Sequence, residues 1–182
     1  LSHVHRGTLF EQHSLSVLQN SLSMALARVG GRGDGGVDLQ GWWWLPEHPG
    51  RGGDARMRIR VLAQCKLERR KLSPKSVREL EGVLLRSMAP LSSGSSTSIS
   101  VDEQLDPVVG LLISAVPFTK GTVLRAHSSP IPLMLLHLPP PPQISLGDKL
   151  TEDAPSMGTF LFNPALGATH GLLRGHVQPR WE

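Results

Sequence analysis

Two stretches that alternate apolar and polar residues, 37–45 and 58–66, flank a loop dense in Pro, Gly and Arg, and this arrangement constrains the fold most. A two-residue repeat marks a strand with unlike faces. The first stretch sets Val37, Leu39 and Trp43 against Asp38, Gln40 and Trp42; the second sets Ile59, Val61, Ala63 and Cys65 against Arg58, Arg60, Leu62, Gln64 and Lys66. Joined through 46–56, the two are expected to form a hairpin. Centred on Gly52, it would pair Asp38 with Lys66 and Gln40 with Gln64, all four on one face, unless a bulge shifts the register.

Around this pair the spacing predicts a helix over 8–29, with Thr8 as N-cap and Gly30-Gly31 as the stop. Ser73 and Pro74 open a second helix to about Met88, with Val77, Leu80, Leu84 and Met88 on one stripe. A Ser-rich insertion at about 89–106 follows. An apolar strand at 108–116, a short helix started by Thr119 and a strand at 131–138 complete the series, and Pro139–Pro142 ends it, because successive prolines neither extend a helix nor donate to a sheet. The expected fold is α/β: a mixed sheet of about four strands flanked by helices, with residues 1–140 as the core. Residues 141–182 read as a Pro-rich linker and C-terminal extension, with weak helix signals near 159–173.

With 182 residues the chain can bury a real core. No apolar run approaches the roughly 18–20 residues of a membrane span. A single cysteine, Cys65, excludes an internal disulfide and a cysteine-based zinc site, which suits a reducing compartment such as cytosol or mitochondrial matrix. The chain opens on Leu1 rather than Met, so a preceding segment is expected and a targeting peptide would lie in it. Net charge is only +4, but residues 51–88 carry eleven Lys/Arg against four Asp/Glu. Such a block suits a polyanion, whose neutralisation drives salt-dependent binding, or is a plain solvated face.

Hydrolysing a phosphodiester needs a divalent cation on hard oxygen ligands, an activated water and neutralised phosphate charge. Asp38 offers a carboxylate, Gln64 an amide oxygen and Lys66 an ammonium, and the last two leave the same face of one strand. Arg69, Arg70, Lys71 and Lys75 follow directly and would reach backbone phosphates, or form a solvated cluster. The histidines show no coherent metal spacing.

The residues from Gly7 to Glu11 look like the opening Gly-x-x-Phe-Glu of Mrr-like nucleases of the PD-(D/E)xK restriction-endonuclease type. Residues 31–39, with Gly33-Asp34-Gly35-Gly36-Val37-Asp38, resemble the family's Gly-Asp-x-Gly-Val/Ile-Asp element, and Gln64-Cys65-Lys66 is similar to the Gln-x-Lys that one subgroup uses for Glu-x-Lys. Phe118-Thr119 and Pro132–Leu138 match the closing helix start and final strand. The wording between motifs, notably Arg28–Gly31 and Val77–Gly82, resembles a fungal mitochondrial group required for respiratory growth. The resemblance covers roughly residues 4–138. It implies a restriction-endonuclease-like core, a Mg²⁺- or Mn²⁺-dependent endonuclease acting on mitochondrial DNA, and an active site of Asp38, Gln64 and Lys66 with Glu11 assisting the metal. Gln64 in place of an acid removes one negative charge and leaves room for a non-catalytic nucleic-acid-binding or scaffold protein. Self-association into a homodimer is compatible with all of this.

Each residue has a plainer reading. Thr8-x-x-Glu11 is a capping box in which Glu11 would serve the helix start. Asp38 would simply pair with Lys66. Asp34 and its glycines would form a tight turn. Trp42 and Trp44, on the Gln64 face, would stack on unpaired bases or just pack, with Trp43 buried. Cys65 reads as core filler.

Overall fold

The computed structural model describes residues 2–29, 35–45, 57–89, 106–141, 144 and 157–177. Its elements run α1 (His3–Leu22), β1 (Met24–Arg28), β2 (Leu39–Trp44), β3 (Arg58–Lys66), α2 (Pro74–Met88), β4 (Val108–Ser114), α3 (Lys120–His127), β5 (Leu133–His137), β6 (Phe160–Phe162) and α4 (Pro164–Gly167). The Ser-rich run and the hairpin loop expected over 46–56 lie outside the described residues.

One mixed sheet has its strands side by side in chain order. β1, β2 and β3 form an antiparallel meander; β4 and β5 continue in parallel; β6 closes antiparallel to β5. Parallel neighbours need a crossover, and α2 and α3 lie in those connections. Each sheet face has its own core. Leu39, Trp43, Ile59, Val61, Ala63, Leu111, Ile113, Met134 and Leu136 pack with Phe10 and Leu18 of α1. Leu62, Leu112, Leu133 and Leu135 pack on the other side with Val77, Leu80 and Leu84 of α2 and Ala126 of α3. The parallel strands are covered on both faces, which is why their sequence runs apolar without alternation.

The α/β class and the mixed sheet flanked by helices stand, but the sheet has six strands rather than about four. The helix expected over 8–29 is two elements. It starts at His3, where Ser2 Oγ accepts from His5 N, so Thr8 is not its cap. It ends where Ser23 takes the left-handed conformation at φ 53° and returns its N–H to Leu18 O. The remaining Met24–Arg28 is the edge strand β1. Residues 157–177, read as extension, add β6 and α4 and bury Phe160, Leu166 and Leu173 in the α1-side core.

Asn163 ties that segment down. Buried at the N-cap of α4, its Oδ1 accepts from Leu133 N and Leu166 N, and its Nδ2 faces the carbonyls of Ala126, Ser129 and Ile131. One amide thus joins α3, the start of β5 and α4. Gly110 serves the packing of helix on sheet. A Cβ there would come within 2.5 Å of Leu84 Cδ1 and 2.9 Å of Leu133 Cδ2. Without a side chain at that point, α2 lies directly on β4.

Candidate functional site at the end of β3

The hairpin register differs from the expected one by two residues. Leu39 pairs with Ala63 and Trp43 with Ile59, and Gln40 stands opposite Leu62 rather than Gln64; continued by one residue, this register would set Asp38 opposite Gln64 rather than Lys66. A shift of two keeps every β3 side chain on its expected face.

Regular pairing of β2 stops just before Leu39. Asp38 N–H donates to Ala63 O on β3 at 2.9 Å, whereas Asp38 O accepts from Val29 N on the β1 side at 2.8 Å. In a regular strand both groups would point to one neighbour. The chain therefore twists at Asp38. Val37 falls into the α2-side core and Leu39 into the α1-side core, so the expected common face for these two fails. Gly35 and Gly36 precede the twist with φ of 65° and 87°, a conformation in which Cβ-bearing residues are strained, and this is the tight turn expected of the glycines.

The twist decides where the carboxylate goes. Asp38 Oδ2 accepts from Cys65 N at 2.7 Å. Strand N–H groups lie in the plane of the sheet, so the Asp38 carboxylate sits between β2 and β3 and does not stand on the α2 face beside its expected partners. Gln64 and Lys66, the residues flanking Cys65, do point to the α2 side. Lys66 Nζ lies 3.8 Å from Oε2 of Glu79 on α2, whose Oε1 Lys75 approaches at 3.6 Å, so the simple Asp38–Lys66 ion pair is not what forms.

Gln64 is 8% exposed, and its Oε1 has no hydrogen-bond partner among the described residues. Its Nε2 abuts Gly36, where a Cβ would stand 3.4 Å away. An unpartnered buried amide oxygen costs on the order of 1–3 kcal/mol, so it calls for a donor or a cation at that point.

Glu11 lies on the α1 side. Arg28 holds it with Nε at 2.9 Å and Nη2 at 2.7 Å from Oε2. The capping box is not formed, since Ser2 and not Thr8 caps α1, and no set of three His, Cys, Asp or Glu suited to a metal occurs among the described residues. One carboxylate and one amide oxygen still fit Mg²⁺ or Mn²⁺. Mg²⁺ typically takes one or two carboxylates, keeps several waters and completes its sphere with substrate phosphate. Cys65 packs toward α1, and burial, reinforced by the Asp38 and Glu11 carboxylates, pushes its thiol well above the ordinary range, which suits core filler and not a nucleophile. Arg69, Arg70, Lys71 and Lys75 are all exposed between β3 and the first turn of α2.

The family model described as Required for respiratory growth protein 7 matches residues 2–56 and 51–158. The chain belongs to this family. Among its relatives is the mitochondrial Required for respiratory growth protein 7 of Candida glabrata, 28% identical across 99% of this chain and 79% of that protein. An uncharacterized mitochondrial protein of Schizosaccharomyces pombe is 37% identical over 106 residues, 53% of this chain. The match spans only 39% of that relative's length. The mitochondrial localisation expected from the resemblance stands, since both relatives are mitochondrial. Among solved structures, the MspJI restriction endonuclease in complex with a 27-mer oligonucleotide is similar at 18% identity and a TM-score of 0.46, covering 75% of this chain and 26% of that one. No helix among the described residues is long and apolar enough to cross a membrane.

Sequence reasoning named Asp38, Gln64 and Lys66, and the fold gathers them at one end of the β2–β3 pair. It missed Glu79, the partner of Lys66, and Arg28, the partner of Glu11. The Lys75–Glu79 spacing of four on α2 was a readable signal for the first. No local signal announced the second, because the helix was expected to run through Arg28.

Proposed function

We propose that this protein is a Mg²⁺- or Mn²⁺-dependent phosphodiesterase acting on mitochondrial DNA, with a restriction-endonuclease-like core. The observation that carries the reading is the buried Oε1 of Gln64, without a partner among the described residues, on the strand position between Ala63 and Cys65, whose N–H the Asp38 carboxylate accepts, and two residues from Lys66. The reaction adds water across a P–O bond, leaving a phosphate on one fragment and a hydroxyl on the other. Asp38 and Gln64 would hold the cation, which supplies Lewis-acid charge at the phosphate when bound. Lys66, leaving its loose contact with Glu79, would orient the attacking water and offset phosphate charge through Nζ. Exposed Arg69, Arg70, Lys71 and Lys75 would hold flanking phosphates. Glu11 would join the metal only by giving up Arg28.

A second reading, a nucleic-acid-binding or scaffold protein without turnover, draws on that same Glu11–Arg28 pair, which would hold the second carboxylate away from a metal. One experiment separates the two. Purified protein is incubated with duplex and single-stranded DNA, with Mn²⁺ or with chelator, beside Asp38→Asn and Lys66→Ala. Metal-dependent cleavage lost in both variants supports hydrolysis. Cleavage unchanged in both variants overturns the site; salt-sensitive binding indifferent to metal, with no product, supports the scaffold.

A further inference from the structure

The helices on the α2 side cover the sheet unevenly. Leu62, Leu112, Leu133 and Leu135 are buried there, but the same face of β1, β2 and the start of β3 is open. Ala25 and Ala27 of β1, Gln40 and Trp44 of β2 and Arg58 of β3 are exposed, and Trp42 and Arg60 are half-buried. Their alternation partners Met24, Leu26, Leu39, Trp43 and Ile59 are buried against α1. Register makes the open residues one surface: Ala25 pairs with Trp42 and Trp42 with Arg60, while Trp44 pairs with Arg58.

Two aromatic rings and two guanidinium groups therefore interleave on a flat patch next to small alanines. The Arg58 guanidinium lies 4.3 Å from the Trp42 ring centroid and is held by Asp106 at 2.9 Å, which fixes the ring and the cation together. Arg60 has no carboxylate partner among the described residues. Trp44 is 39% exposed, one of few large apolar side chains so open. Plain packing accounts for Trp43 but not for Trp44. Rings supply stacking faces and arginines meet phosphate charge, the combination that holds unpaired bases with little regard to sequence. Within a duplex the base faces are already stacked, so such a patch favours a single strand. Gln64 and Lys66 lie on the same face, and Trp44 and Asp38 stand six positions apart, about 20 Å along extended chain.

We propose that the open face of β1–β3, centred on Trp42, Trp44 and Arg60, is a stacking platform for a single-stranded polynucleotide, leading it toward Asp38, Gln64 and Lys66. The platform stands apart from the hydrolysis reading; only the direction of the strand rests on it.

The test is titration of the full chain with a fluorescein-labelled oligothymidylate and with a duplex of equal length, in chelator so that no cleavage intervenes. Wild type is expected to prefer the single strand. Trp44→Ala and Arg60→Glu should each weaken it by roughly tenfold, in the range of one lost base stack. Leu124→Ala, exposed on α3 away from the patch, should bind as wild type; because binding is read in chelator and cleavage only with Mn²⁺, failure of hydrolysis and failure of the platform are read separately. Circular dichroism confirms that the variants fold, and Trp44, being exposed, tolerates truncation. Unchanged single-strand affinity in folded Trp44→Ala and Arg60→Glu would overturn the platform. So would equal or tighter Trp44-dependent binding of duplex, or a Trp44→Ala effect on sedimentation and not on oligonucleotide binding, which would make the patch a contact between copies of this chain.

Discussion

Gln64 is the residue on which the proposed chemistry turns, because its amide oxygen is buried with no donor among the described residues. Gln64→Glu puts a charge in the same volume. Without a cation that charge is desolvated, so the variant should melt several degrees below wild type, and millimolar Mn²⁺ should restore most of the loss. Differential scanning fluorimetry with and without Mn²⁺ checks this; equal melting under both conditions would remove the metal from the site. His13 and His137 give a second handle. Burial lowers the affinity of both imidazoles for protons, against opposing bonds to the Pro139 and Ala115 backbones. The unfolded chain then takes up protons at higher pH than the folded one. Stability should be full above the ordinary imidazole value of about 6.5 and decline as pH falls below it. Melting curves from pH 8 to 5 show the slope, and His13→Gln should flatten it.

At the scale of elements, legibility followed the strength of local signals. β3 spans the expected 58–66, and α2 starts at Pro74 after Ser73, as the proline dictates, although the Ser73 side chain makes no capping hydrogen bond. Thr119 caps α3 through Thr122 N. β1 was hidden because Leu22, Ala25, Leu26 and Val29 keep a helical spacing, and because Ser23 breaks the helix in a conformation usually left to glycine. β6 is only three residues between a glycine and a proline-started turn, too short for periodicity to register. The site residues were legible as a set. Their arrangement was not, since the twist at Asp38 depends on bonds to two other strands. Asn163 was equally invisible: an isolated Asn before Pro reads as a turn, yet its amide holds three elements. Asn163→Ala would leave the Leu133 N–H without its side-chain acceptor and remove the amide donor from the Ala126, Ser129 and Ile131 carbonyls, and a loss of about 3 kcal/mol is expected in urea denaturation. Hydrogen exchange should quicken at Leu133 and Leu166 beyond the change elsewhere.

For the whole molecule, the final segment is part of the fold. Phe162 meets Trp43 edge-on at 5.9 Å, linking β6 to the hairpin that carries the site. A chain cut after Pro141 would expose Phe160's neighbours Met134 and Leu136 and leave β5 as a bare edge. It is expected to aggregate or bind a hydrophobic dye where the full chain does not, as static light scattering would show.

Gly110 also acts at this scale. Leu84 rests where its side chain would be, and α2 carries both Glu79, which faces Lys66, and Val83, which meets Gly36 near Gln64. Gly110→Ala should lift α2 by a few tenths of an ångström or more and lower Mn²⁺ affinity in the same fluorimetric assay, though position 110 touches none of the proposed ligands. The spacing of the helix that carries Glu79 opposite Lys66 thus depends in part on a bare backbone position one strand away.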